Sequence, residues 1–380
     1  MMKRVLPVLL ALAILLCACG SPEPATQPTT EPTTVPTTAP TTVPTTAPTT
    51  EPTTEPTTEP TTEPTTEPTT EPTEAPQVDR NPLNGTPLDA PFVGRVFAVT
   101  INNVGDALPH HGISQADVFF EMFINDYCTR GLALFTNVAD LESIGSVRST
   151  RYNFTDLAVA YNLILCHAGG SNAVLKDMRK AGVDNMNVDG SIGYRDSARK
   201  KDGYAWEHTL FAKGSSLISA AQKKGFDLEV TGYDYGMRFT EDGTPAGGET
   251  ANKVKIRFSL KGHHKYSSMI YDPATGKYVY HQFKSEKKMI DENNGQPEAF
   301  TNVIVMLAPT HNEGVYHVAE LKGEGEGYFA CGGKVVKIKW VHKKDADPFT
   351  FFLEDGTPLQ QGVGSTYVAI APTGSPVTFE

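Results

Sequence analysis

The chain has 380 residues, with 44 acidic and 33 basic side chains for a formal net charge of −11, and 39% of it is hydrophobic. Nine of the acids and two of the bases precede Gln77, so the remainder carries 35 acids and 31 bases, a net of −4. A weakly acidic domain without a basic run is a poor match for nucleic acid, and about 300 residues beyond the N-terminal segment are enough for two packed regions.

Lys3 and Arg4 precede a 12-residue apolar run, Val5 to Leu16, that contains Pro7. Such a run is too short to span a bilayer and has the charge and length of a signal peptide. Leu16-Cys17-Ala18-Cys19-Gly20 then resembles the bacterial lipobox, in which cleavage before the cysteine leaves a lipidated N-terminus. Residues 1–18 are therefore expected to be a lipoprotein signal peptide, with Cys19 anchoring the chain on the extracellular face of the membrane. Buried acyl chains contribute about 0.8 kcal/mol per CH₂, so stable anchoring takes more than one chain. The competing reading is an ordinary secreted protein cut elsewhere.

Residues 19–80 form the expected tether. From Ser21 to Pro76 nearly every residue is Thr, Pro, Glu, Val or Ala, with a four-residue Glu-Pro-Thr-Thr period from Glu51 to Glu71. Dense proline excludes helix and sheet and favours a disordered, extended spacer of at most ~3.1 Å per residue. No repeat has a hydrophobic face, so the period does not build a solenoid. The threonines could carry sugars.

Two regions follow, 81–226 of mixed strands and helices and 227–380 of β character. Arg95 to Ile101 reads as a strand, Ser114-Gln115-Ala116-Asp117 as a short turn, and Val118 to Ile124 and Arg130 to Thr136 as a hairpin turning at Asn125-Asp126. Phe154, Leu157, Ala158 and Tyr161 mark a helix face. Leu163 to Cys166 is an apolar run of the kind buried on both sides. It meets His167, then Gly169 and Gly170 as a turn, Ser171 or Asn172 as a cap, and a helix through Val174, Leu175 and Met178. A further helix is expected from Ser215 to Lys224, stopped by Gly225. In the second region Lys253 to Lys261 alternates polar and apolar residues as a half-buried antiparallel strand does. Asp272 to Gly276, Gly332-Gly333 and Asp355-Gly356 are turns between Val303–Leu307, Val335–Val341 and Phe349–Leu353. The expected fold is mixed α/β (α+β): a layered N-terminal αβ domain packed on a β-rich, mainly antiparallel C-terminal domain.

The series Ser114 to Asp117, Glu121, Thr129-Arg130, Ile144 to Arg151, Asp156, His167-Ala168-Gly169-Gly170-Ser171 and Tyr194-Arg195-Asp196 resembles the YerB-like lipoprotein family. In the second half Asn302 to Val305, the Gly323-to-Gly327 segment, Trp340 and Asp355-Gly356 resemble the family's β-rich domain. The resemblance covers almost everything beyond the tether. It implies a lipid-anchored αβ protein of Gram-positive type, carrying a domain of unknown function, and supplies no established reaction. Two positions depart from the family pattern. Asn102-Asn103 stands where an acid usually precedes the asparagine, and Trp206-Glu207-His208-Thr209 replaces an Ala-Pro-His-Asn series. Both weaken a chemical role for Asn102 or His208.

Several of these residues suit a ligand site. Arg148 and Arg151 lie at the start of the helix that begins near Tyr152, where the dipole disfavours positive charge by up to ~1 kcal/mol. Carboxylates such as Asp117, Glu121, Asp156 or Asp196 could offset them in a structural network, or an external anion could, since guanidinium forks match carboxylate and phosphate. Asn103, Arg130, Arg195, Arg199 and His208 could join, with Gly169, Gly170 and Ser171 offering a helix start to an anion. His167 is the candidate acid or base, set against a histidine merely bonded to backbone. Ser171 lacks a G-x-S-x-G elbow. Tyr194, Tyr204 and Trp206 beside arginines would suit stacking on a sugar or peptide, or core packing. No H-E-x-x-H or C-x-x-C occurs, and in the adjacent pairs His110-His111 and His263-His264 the rings point to opposite faces of an extended chain; neither metal nor cofactor is expected. Cys17 leaves with the signal peptide, and Cys128, Cys166 and Cys331 are an odd, widely spaced set that indicates no disulfide framework.

The reading is an anchored lipoprotein that binds an anionic or carbohydrate-containing ligand of the envelope, such as cell-wall material, in an Arg/His-lined cleft. Its rivals are an envelope hydrolase using His167 with an acid, and a non-catalytic scaffold that docks a protein partner.

Overall fold

The computed structural model describes residues 79–125, 128–258 and 265–380. The signal-like segment, the tether to residue 78, the Asp126 turn and His263-His264 lie outside the described residues. Strands β1 (Phe97–Asn103), β2 (Val118–Asn125) and β3 (Cys128–Phe135) come first. β3 runs antiparallel to both β1 and β2, so the expected hairpin is present, with β2 ending at Asn125, and β3 starting at Cys128 and ending at Phe135. Helix α1 (Tyr152–Ala160) buries Phe154, Leu157, Ala158 and Ala160 and hands the chain to β4 (Ile164–His167). Helix α2 (Asn172–Lys180) follows, and β5 (Asn185–Asn187) returns parallel to β4, itself parallel to β1. This is a βαβ unit on the sheet edge, and its strand is buried on both faces as its continuous apolar run requires. Helices α3 (Ser197–Lys201) and α4 (Gly214–Lys224) complete this half, α4 ending on Gly225 at φ 72°, a left-handed cap that costs glycine no Cβ clash.

The second half makes two sheets. β6 (Lys253–Arg257), β7 (Tyr266–Asp272) and β8 (Lys277–Gln282) form an antiparallel meander. The expected strand from Lys253 alternates as read, with Val254 and Ile256 inward, but pairs only as far as Arg257. β9 (Asn302–Ala308), β10 (Gly323–Cys331), β11 (Lys334–His342) and β12 (Thr366–Pro372) instead extend the sheet of the first half, and β13 (Val377–Phe379) joins β6. The large sheet reads β11-β10-β9-β12-β2-β3-β1-β4-β5 along its main path, with Glu249–Thr250 outside β11 and Thr350–Leu353 also paired to β11. β12 is parallel to both neighbours, β9 and β2. All seven of its residues are buried, which is the condition for a parallel strand in mid-sheet. The described residues thus belong to one compact unit in which strands from both halves share a sheet.

Alternation along these strands fills two cores. Phe97, Val99, Phe119, Ala133, Val305 and Tyr367 face the smaller sheet (Val254, Ile256, Met269, Tyr280) and α4 (Leu217, Ala221). Ala98, Phe120, Leu132, Leu134, Ile304 and Val368 face α1 (Phe154, Leu157), α2 (Met178) and Trp340. The result is a mixed, β-rich α/β architecture with one large sheet between two covering layers. Residues near the end of β1 and the start of β3, where Asn102 lies opposite Arg130, therefore sit at the margin of both cores.

Candidate functional site

Arg130 projects from β3 on the same face as Leu132 and is 3% exposed. One terminal nitrogen reaches the Ser149 carbonyl at 3.4 Å, while Nε has no partner. Arg151 is the N-cap position of α1, with β-region dihedrals and no side-chain cap. Its Nη1 donates to the Thr150 carbonyl at 2.7 Å and to the Ser149 carbonyl at 3.3 Å, and its guanidinium lies 4.4 Å from the centre of the Tyr316 ring. Arg148 precedes Arg151 on a segment tied to β1 through its own N–H, which donates to the Thr100 carbonyl at 3.1 Å. Nε of Arg148 and Nε of Arg151 are likewise buried without partners.

The electrostatics are those of crowded cations. Burial pulls the pKa of Arg130 down to about 9, and the charges of Arg151 and Arg148 add to the effect. Burial lowers Arg151 too, with Arg148 contributing. Arg130 and Arg151 stay charged at neutral pH, so these shifts express lost hydration and repulsion rather than neutralisation. Among the described residues, none of the three arginines makes an ion pair. Asn102 Oδ1, Ser146 Oγ and Thr150 Oγ1 are further buried atoms without partners on the surrounding backbone. His208 completes this wall: its Nδ1 accepts from Asn102 Nδ2 at 2.8 Å, and burial, with Arg148 contributing, holds its pKa below the usual histidine value. A backbone hydrogen bond lowers the pKa of exposed Glu207, and the charge of Arg148 adds to the effect.

The turn after β4 adjoins this cluster through the backbone. Thr150 N–H donates to the Gly169 carbonyl at 2.9 Å, Ala168 N–H to the Arg148 carbonyl at 2.9 Å, and Ser149 Oγ to the Ala168 carbonyl at 2.9 Å. Gly169 has φ +70°, the conformation a side chain would strain, and Gly170 packs against Thr150. Ser171 caps α2 by accepting from Val174 N–H at 3.3 Å. His167 is buried, with Nδ1 3.0 Å from the Gly169 carbonyl and Nε2 3.3 Å from Asn185 Oδ1; burial lowers its pKa. Both ring nitrogens are thus engaged by this turn and by β5.

The acids read as partners of these arginines lie elsewhere. Glu121 projects to the opposite face of the sheet. One oxygen accepts from Asn103 Nδ2 (3.0 Å) and Thr129 Oγ1 (2.5 Å), the other from Ser267 Oγ (2.8 Å), Tyr280 OH (2.6 Å) and Tyr367 OH (2.6 Å). Lys265 Nζ stands 3.6 Å away. Burial opposes ionisation of Glu121, but Lys265 and the hydroxyls together hold its pKa below the usual value. Asp117 ties Asn81 and Asn84 to Thr136 at the other end of β2. Asp196 caps α3 through Ala198 N–H (2.7 Å) and Arg199 N–H (3.3 Å). Arg195 pairs with Asp189 at 2.6 Å and lies 4.3 Å from the centre of the Trp206 ring, which is 60% exposed. Arg199 is spent on the carbonyls of Ala107, Pro109 and His208. His110 is bonded to Glu298 at 3.0 Å and His111 to Ser143 at 2.9 Å. The structure therefore gathers Arg130, Arg148, Arg151 and His208 beside the Gly169 turn, and separates Asn103, Asp117, Glu121, Arg195 and Asp196 from them. Tyr316 and Lys265 are contacts that sequence reasoning missed, because each joins its partner across distant parts of the chain.

Comparison with known proteins agrees with this architecture. A family model described as the N-terminal domain of a protein of unknown function (DUF3048) matches residues 83–227, and the corresponding C-terminal domain model matches residues 254–368. The chain is 27% identical over 313 residues to the protein named "Putative lipoprotein YerB" of Bacillus subtilis (strain 168), covering 78% of this chain and 90% of that one. The crystal structure of YerB protein from Bacillus subtilis matches with a TM-score of 0.68 at 23% identity, over 79% of this chain and 99% of that one, which speaks for the fold. With the arginine segment and the strand–turn–helix in place on that fold, the chain belongs to the YerB-like DUF3048 family.

Proposed function

We propose that this protein is lipidated at Cys19, displayed on the outer face of the membrane, and binds an anionic group of an envelope ligand at Arg130, Arg148 and Arg151. The observation that carries the reading is three clustered guanidinium groups, one 3% exposed, with no carboxylate paired to any of them among the described residues. Buried cations are normally paired, because an uncompensated one costs several kcal/mol. The N-terminus of α1 adds its dipole to the same place, without a side-chain cap. A bound phosphate or carboxylate would accept from the guanidinium forks and offset the lost hydration and the repulsion that lower Arg130. The name of the Bacillus relative supports the lipid anchor.

The test is thermal unfolding of the full chain in detergent, with inorganic phosphate, pyrophosphate and anionic cell-wall fragments as probes. Saturating ligand at ~100 times its Kd stabilises the folded state by ~2.7 kcal/mol, so a rise of several degrees in Tm is expected for at least one probe. Arg148→Ala abolishes that rise, and His167→Ala leaves it intact. A panel in which no anion shifts Tm, or in which Arg148→Ala shifts as wild type does, overturns the reading.

A further inference from the structure

A cavity of about 590 Å³ lies between α1, α2 and the hairpin Thr310–Glu313/Tyr316–Ala319, apart from the arginine cluster. Its chemistry is the reverse. Asp156 on α1 and Asp177 on α2 line it, and among the described residues neither carries an ion pair. Asp156 has a single side-chain donor, Asn153 Nδ2 at 3.2 Å. Other polar side chains there satisfy each other: Lys322 pairs with Asp345 at 2.8 Å, and His311 Nδ1 contacts Glu320. Lys180 remains as a cation on the α2 side.

Two buried acceptors stand independently of the acids. His342 is 3% exposed and lines the cavity; its Nδ1 donates to the Leu321 carbonyl at 2.7 Å, so in the neutral ring Nε2 carries a lone pair, and that atom has no partner. Thr155 is 2% exposed, lines the same cavity, and its Oγ1 is also unpartnered. A positively charged occupant would meet both carboxylates, and the wall around it holds these two buried, unpartnered atoms. Val159, Ala181, Val318 and Leu321 supply apolar wall for an alkyl chain. A multiply ligated metal is a poorer match, since among the described residues no three metal-binding side chains converge.

We infer that this cavity is a second ligand site, which takes an aliphatic ammonium compound with its cationic head at Asp156 and Asp177 and its chain along the apolar wall. The proposal does not depend on the arginine cluster.

The experiment is calorimetric titration of the full chain in detergent with 1,5-diaminopentane, and with 1-pentanol as the uncharged control. Expected are saturable binding of the diamine, at least ~tenfold weaker binding by Asp156→Asn, and no change in Arg148→Ala. Asp177→Asn, a partly buried change on a different element, weakens binding too and keeps the test independent of how well the first variant folds. Pentanol binds at least ~tenfold more weakly than the diamine. Absence of saturable diamine binding up to about 10 mM, a range that would still register a millimolar Kd, overturns the proposal. Binding within about twofold of wild type in both aspartate variants, or equal binding of pentanol, overturns it as well.

Discussion

Asp156 is a carboxyl group held where a carboxylate is unwelcome: burial raises its pKa to about 6, and the charge of Asp177 adds to the rise against the Asn153 bond. Because the folded value exceeds the unfolded one, the native state holds a proton that the unfolded chain has lost between about pH 4 and pH 6. Stability contributed by this group is therefore greatest below that window and declines as pH rises through it. Asp156→Asn removes the ionisation and is expected to be more stable than wild type by on the order of 2 kcal/mol at pH 7.5, with the difference vanishing near pH 4. Urea unfolding followed at the two pH values checks this, and a variant less stable at both would contradict it. Glu121 teaches the opposite lesson. Its sequence context made it a candidate partner for arginines, yet it sits on the other sheet face with Lys265, Ser267, Tyr280 and Tyr367. Alternation along β2 already separates Glu121 from Arg130, but nothing local announces a lysine on the opposing sheet. Ser171 and Gly225 were legible because caps act within a few residues.

Among the elements, β12 does the most with the fewest sequence cues. The hairpin β2–β3, the unit β4–α2–β5 and helix α4 could be read from runs, turns and glycines close in the chain. Which strand lies beside which could not, because pairing across the sheet is a long-range choice that periodicity does not encode. β12 fills the gap between β9 and β2 with parallel ladders on both sides. Without it both neighbours present bare backbone edges in the middle of the apolar layers. Residues 79–227 produced alone are accordingly expected to lack a cooperative thermal transition and to aggregate, whereas residues 79–380 unfold in one step. Size-exclusion chromatography and circular dichroism melts of the two segments decide the matter; a monomeric, cooperatively melting shorter segment would show that β12 is dispensable to its neighbours.

At the scale of the whole molecule, the family match covers the two halves that share the large sheet, while the proposed anchor belongs to the segment before it. The arginine cluster could be half read from sequence: Arg148 and Arg151 announced themselves at a helix start, and Arg130 as part of a family pattern. That no acid would reach them depended on the course of β2, α3 and the Asn81 segment, which draw Glu121, Asp196 and Asp117 away. Lipidation is tested at Cys19. Cys19→Ala is expected to move the protein from the membrane fraction to the soluble or secreted one, read by detergent phase partition, while purified wild-type and variant protein respond alike to the anions above. Retention of the variant in the membrane would point to another means of attachment.

The position of β12 also sets an order of events in biogenesis. Residues 97–135 cannot acquire their final neighbour until residues 366–372 have been made, because those seven residues form the bridge between the earlier strands and β9. A chain that stops short of Thr366 therefore has no finished large sheet to lock into. Closure of the large sheet waits on this one strand, so the earlier strands become stable only once residues 366–372 have joined them.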